Sequence, residues 1–180
     1  MRDTLLIVDV FQDFGHDDGE ALLASFRERS DDLTAALARA RGSATPIVYA
    51  NDNAGIWDSD VRGLVERALE GPGRDVVAGL LPRSGDRFVV KPRYSAFDHT
   101  PLALLLEELE CERLLVAGAS TEGCVAQTAI AARELGYKVS VVARACATAD
   151  SRLEEVSLRY LVDVVGVRLV EVADIGRPAT

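Results

Sequence analysis

Three residues of this chain have the types and positions to divide a nucleophilic attack between them as nucleophile, general base and electrostatic partner. Cys124 follows the apolar run at 113–118 and opens an amphipathic stretch, which predicts a cysteine at a helix N-terminus. Unpaired backbone N–H groups and the positive end of the helix dipole favour thiolate there, and the thiolate is the nucleophile. Asp9 closes the apolar run Leu6-Ile7-Val8, and Lys91 closes Phe88-Val89-Val90. A charged group at the end of a buried strand is costly unless it is paired. Asp9 could take the thiol proton as general base while Lys91 holds both negative charges. Neither His16 nor His99 sits at a strand end, which leaves Asp9 as the available base. The plainer alternatives stay open at this point: a cysteine acting as a small buried hydrophobe, and two charged strand ends reaching water.

Nucleotide chemistry is excluded by what is missing. Gly118-Ala119-Ser120-Thr121-Glu122-Gly123 has the glycine spacing of a phosphate-binding loop, but Cys124-Val125 stands where Lys-Ser/Thr is required. The first strand runs into Val10-Phe11-Gln12-Asp13-Phe14, with no dinucleotide fingerprint. With 20 Lys+Arg against 29 Asp+Glu, a net charge of −9 argues against a nucleic-acid partner. Cys111, Cys124 and Cys146 are an odd number without CxxC spacing, so free thiols in a reducing compartment are expected rather than disulfides or zinc. Apolar runs such as Leu5-Leu6-Ile7-Val8 fall far short of a membrane span of about 18 residues. Asp3 and Asp9 interrupt any secretory signal pattern, and a cytoplasmic location is expected.

The elements that must position these residues show as short apolar runs alternating with longer amphipathic stretches, the pattern of a parallel α/β sheet. Strands are predicted at 5–9, 46–50, 87–91, 113–118, 138–143 and 167–172, with helices at 20–41, 58–70, 100–110, 121–135 and 151–164. The Gly71-Pro72-Gly73 and Pro82-Arg83-Ser84-Gly85 stretches break up the segment between the second helix and the third strand, which is expected to be a loop region, and Arg177-Pro178-Ala179-Thr180 is expected to be a fraying tail. A length of 180 residues predicts one domain spanning 1–180. Ligands of such sheets bind beyond the carboxyl ends of the strands, where Asp9, Asn51, Lys91 and Cys124 all fall.

Three segments carry a family resemblance. Leu5-Leu6-Ile7-Val8-Asp9, Val89-Val90-Lys91-Pro92-Arg93-Tyr94-Ser95-Ala96-Phe97 and Val116-Ala117-Gly118-Ala119-Ser120-Thr121-Glu122-Gly123-Cys124-Val125 resemble the signature segments of the isochorismatase-like cysteine hydrolases. That family includes nicotinamidases, other small-amide hydrolases and isochorismatases. The resemblance implies a Rossmann-like, three-layer α/β/α fold with a six-stranded parallel sheet. It also implies a triad of Asp9, Lys91 and Cys124, and a cis peptide between Ala119 and Ser120. The Ser120 and Cys124 backbone N–H groups would then face an oxyanion. The implied activity is cleavage of a small molecule's C–N amide bond through a thioester. The alternatives are vinyl-ether hydrolysis with Asp9 as acid, and a non-catalytic binding protein on the same fold.

Two departures from the family pattern limit what carries over. Phe11-Gln12-Asp13-Phe14 stands where many members read Gln-Asn-Asp-Phe. Asn51-Asp52-Asn53 stands where nicotinamidases carry Asp-x-His, so neither a metal nor another cofactor is expected. A neutral or apolar amide is the expected substrate. Phe14, Trp57 and Tyr94 are candidate pocket walls, with core or subunit interface the alternative for Trp57. His16 and His99 are expected in surface or capping roles, Cys111 and Cys146 as inert core thiols. A homo-oligomer is expected.

Overall fold

Successive side chains of a strand point to opposite faces, so a strand that is apolar throughout needs cover on both sides. In the computed structural model, which describes residues 1–177, β1 (Asp3–Val8) sends Leu5 and Ile7 one way and Leu6 and Val8 the other, all fully buried. β2 (Ile47–Asp52) and β4 (Arg113–Ala119) repeat the pattern. Ile47, Tyr49, Leu115 and Ala117 join Leu5 and Ile7 in one core; Val48, Ala50, Leu114 and Val116 join Leu6 and Val8 in a second. With β3 (Arg87–Lys91), β5 (Lys138–Ala147) and β6 (Arg168–Val170) they form a six-stranded, all-parallel sheet in the order β3-β2-β1-β4-β5-β6.

Helices close both faces. The first core takes Phe26, Leu33 and Leu37 from α1 (Gly19–Gly42), Ala68 from α2 (Val61–Glu70), and Val76 and Val77 from α3 (Arg74–Val77). The second takes Leu102 and Leu106 from α4 (Leu102–Glu108) and Ala126, Ala129 and Ala132 from α5 (Ala126–Glu134), with Leu161 following α6 (Ser151–Tyr160). The result is the three-layer α/β/α arrangement. The chain moves outward from β1 through β2 to β3, then returns to the other side of β1 as β4. The crevice at the carboxyl ends of β1 and β4 is therefore the topological switch point.

Several boundaries differ from expectation. The helix predicted at 121–135 begins as a π turn, Thr121–Val125, and that at 151–164 ends in another, Leu161–Val165. The helix predicted from 58 starts at Val61, because Asp60 caps it by accepting the Gly63 N–H at 2.8 Å. α3 lies in the segment expected to be loop; a single turn between glycines is too short to show a period. β5 runs past the predicted 143 because it bulges: Val116 of β4 pairs with Val141, but Gly118 pairs with Cys146. The expected fraying at 178–180 lies outside the described residues. Among those described, no helix is long and apolar enough to cross a membrane.

Candidate active site

Asp9 is the first residue beyond β1, and its backbone adopts φ +48, a conformation uncommon outside glycine. Hydrogen bonds hold it there. Its N–H donates to the Ala50 carbonyl at 2.9 Å and its carbonyl accepts from Gln12 Nε2 at 2.8 Å. The buried Asn51 amide clasps the next segment, accepting the Phe11 N–H at 2.9 Å and donating to the Phe11 carbonyl at 3.0 Å. The Asp9 carboxylate accepts the Asp52 N–H on Oδ1 at 2.6 Å.

Lys91 reaches Asp9 from the far side of β2. Two inter-strand spacings, about 10 Å, separate β3 from β1, so only a long stem carries a charge across. The Lys91 side chain is 0% exposed, and Nζ has an acceptor for each of its three hydrogens: Asp9 Oδ2 at 2.7 Å, Cys124 Sγ at 3.4 Å and the Arg93 carbonyl at 2.9 Å.

The turn bearing Cys124 is braced from three sides. The Ser120 carbonyl accepts the Gly123 and Val125 N–H groups, both at 3.1 Å, and passes over the Cys124 N–H between them. The Ala119–Ser120 peptide is cis. Thr121 Oγ1 bonds Glu154 Oε1 at 3.0 Å, and Glu154 Oε2 takes Arg29 Nη2 at 3.0 Å. The other arm of Arg29 donates to the Ala143 and Cys146 carbonyls, pinning the β5 bulge. Glu122 accepts the Ala149 N–H and the Thr148 hydroxyl. Gly118, just before the turn, sits at φ +122; a Cβ there would stand 2.0 Å from the Val8 carbonyl oxygen, so β1 and β4 approach only because it is glycine.

These surroundings set the charges. Burial raises Asp9 above the ordinary carboxylate value, although Lys91 pulls it down. Burial lowers Lys91, but the Asp9 carboxylate and the Cys124 sulfur more than offset it and the net shift is upward. Burial, with the Asp9 charge adding to it, pushes the Cys124 thiol well above its usual range, and Lys91 recovers only part of that. The lowering of the Cys124 pKa expected from the helix N-terminus is therefore corrected. A buried sulfur facing a carboxylate outweighs the helix terminus, and the resting site holds an Asp9–Lys91 ion pair beside a neutral Cys124 thiol hydrogen-bonded to Asp9.

Asp9 and Cys124 lie in the wall of a cavity of about 990 Å³, whose lining includes Phe11, Asn51, Ser120 and the exposed Tyr94. Two expected pocket residues are corrected. Phe14 lies in the first core, edge-on to Phe26 with ring centroids 5.6 Å apart, because φ +55 turns its ring inward. Trp57 lies beyond the Ala54-Gly55 turn, 84% exposed, and belongs neither to that lining nor to the core. His16 lines the cavity, while its carbonyl accepts the Gly19 N–H at the start of α1. His99 is exposed. Cys146 is fully buried, and burial raises its thiol to about 12; Cys111 is half-buried and also raised by burial. Where a metal motif would stand, Asp52 and Asn53 instead accept the Ala54 and Gly55 N–H groups and form a turn. Among the described residues no three His, Cys, Asp or Glu side chains converge to hold a metal.

Among the cavity residues that sequence reasoning missed are Glu122, Gln127 and Arg67. In sequence they are ordinary polar positions of amphipathic stretches.

The Isochorismatase domain model matches residues 3–174, and the chain belongs to that family. It is an isochorismatase-family hydrolase. Over 161 residues, 89% of each chain, it is 29% identical to the uncharacterized isochorismatase family protein YaaI of Bacillus subtilis. Over 153 residues, 81% of this chain and 71% of the other, it is 24% identical to the maleamate amidohydrolase of Pseudomonas putida. The crystal structure of the nicotinamidase/pyrazinamidase PncA of Bacillus subtilis shares the fold, with a TM-score of 0.77, 23% identity, and coverage of 95% of this chain and 100% of that one.

Proposed function

We propose that this hydrolase cleaves a C–N amide bond of a small molecule through a thioester on Cys124. One observation carries the reading: a single buried ammonium lies 2.7 Å from Asp9 Oδ2 and 3.4 Å from Cys124 Sγ, at the wall of a cavity roomy enough for a small substrate. As the sulfur attacks the carbonyl carbon, Asp9 takes the thiol proton. The Ser120 and Cys124 N–H groups receive the tetrahedral oxyanion. Collapse breaks the C–N bond, Asp9 returns the proton to the leaving nitrogen, and a thioester remains. Water then adds to the thioester as Asp9 removes its proton. The second intermediate expels the sulfur, which regains a proton from Asp9 as the acid departs. Lys91 stays an ammonium throughout and stabilises whichever partner is negative. The upward shift of Asp9 suits this work, since a base is most effective with a pKa near the working pH.

The test is a panel of small amides assayed for ammonia or amine release, with acid-quenched protein weighed for an acyl adduct on Cys124. Cys124→Ala should lose hydrolysis and the adduct together. The raised Asp9 also suits a general acid, so a second reading is vinyl-ether hydrolysis. Turnover that survives Cys124→Ala but not Asp9→Asn would favour that reading and overturn the thioester.

A further inference from the structure

The cavity is lined by many acids, and most of them are already engaged. Asp13 accepts the Gly15 N–H at 3.0 Å and Asp52 the Ala54 N–H at 2.7 Å. Glu122 uses both oxygens on Ala149 and Thr148, and Asp150 caps α6 through the Arg152 and Leu153 N–H groups. Arg67 differs. It lines the same cavity from the face of α2 that also presents Leu64 and Ala68, and it is half-buried. Its guanidinium has no hydrogen bond or ion pair among the described residues, whereas Arg27, Arg29, Arg41 and Arg113 all hold carboxylates. A partly desolvated guanidinium without an acceptor is unfavourable, and its planar fork of donors matches a carboxylate.

Resting on the amide-hydrolase reading, we propose that Arg67 anchors a carboxylate carried by the substrate at the end remote from the scissile carbonyl. The substrate class is then a small monocarboxylate bearing an amide, its connecting carbons lying along Leu64 and Ala68. Apart from Arg67 and His16, which is exposed, the charged side chains of the lining are all acids, so one anionic group is favoured and a dianion is not. This class departs from the neutral or apolar amide expected from the sequence, because α2 brings a cation into a cavity that the sequence alone does not connect with it.

The probes are the monoamides of succinic, glutaric and adipic acids, each compared with its diamide, in which an isosteric carboxamide replaces the carboxylate. Wild type should prefer the monoamide of the best-fitting length in kcat/KM. Arg67→Met should cut that preference about 10–100-fold, chiefly through KM, and Arg67→Lys should retain part of it. No preference in wild type, or one that survives Arg67→Met, would overturn the anchor. Arg67 sits in the last turn of α2, where a cation also favours the helix dipole. A merely structural role of that kind would lower the melting temperature without moving the ratio. Calorimetric binding to Cys124→Ala, with and without Arg67→Met, separates the anchor from the chemistry. Monoamide-selective binding that needs Arg67, in a protein that turns over no amide, would sink the amide-hydrolysis reading and leave the anchor standing.

Discussion

Replacing Lys91 with methionine keeps most of the stem and removes the charge. The side chains of Lys91 and Asp9 are 0% and 5% exposed and lie 2.7 Å apart. Without the ammonium, the Asp9 carboxylate keeps the Asp52 N–H at 2.6 Å and the weak thiol donor of Cys124. Removing one partner of a buried ion pair costs about 3–5 kcal/mol. Protonation limits that cost and gives it a pH signature. Burial already raises Asp9 against the pull of Lys91, so losing Lys91 raises it further. A group whose folded pKa is raised contributes stability in full below its unfolded pKa, and that contribution is lost as pH rises through the folded value. Wild type and variant therefore lose stability together at first, and they part once the wild-type Asp9 has ionised while the variant's has not. The deficit of Lys91→Met should be small at acid pH, where Asp9 is protonated in both proteins, and widen towards about 3–5 kcal/mol as the pH rises and the wild-type Asp9 ionises. Urea unfolding followed by far-UV circular dichroism at several pH values measures it. Hydrolysis should fall about 100- to 10,000-fold with the loss of an ionised base. A deficit that does not vary with pH, or one below about 1 kcal/mol at the alkaline end, would refute the claim that Lys91 serves to keep Asp9 charged.

Gly118→Ala should destabilise the fold by at least about 3 kcal/mol in thermal or urea unfolding, because backbone rather than a flexible side chain occupies the space of the new methyl. Iodoacetamide at neutral pH should label Cys124 slowly, with a rate that climbs as the solution is made alkaline, and should spare Cys146 until the chain unfolds; site-resolved mass spectrometry reads both. The acid limb of kcat/KM should rise through an apparent pKa above the ordinary carboxylate value of 3.8, since Asp9 must be ionised to accept the thiol proton; a limb at or below that value would contradict the burial of the base.

Much of this architecture is legible because burial on two faces leaves a mark in sequence. The runs ending in Asp9 and Lys91 are apolar at consecutive positions, and the charge that ends each run marks the carboxyl edge. What escaped depends on contacts between distant segments. The π turn around Cys124 differs from an α-helical start by one residue in one hydrogen-bonded ring, too little to alter the periodicity of 121–135. Exposed Arg144 ends the apolar run of β5, yet the strand resumes once Arg29, from α1, satisfies the carbonyls of the bulge. The upward shift of the Cys124 thiol is hidden from sequence for the same kind of reason: helix position is local, whereas the burial and the carboxylate that raise its pKa come from tertiary packing. Arg67 looks like any charge on an amphipathic helix until the fold reveals which wall it faces.

β3 pairs only with β2, at the margin of the sheet, while Asp9 and Cys124 hang from its two central strands. Sheet margins open locally at a smaller free-energy cost than sheet centres. A fluctuation that lifts the end of β3 would withdraw the ammonium and leave both cores intact, too slight to register as unfolding. Catalysis should therefore fail on warming before the fold does. Repacking the interior would raise the melting temperature without raising the working limit, whereas a tether between β3 and its single neighbour would extend the temperature range over which the enzyme stays switched on.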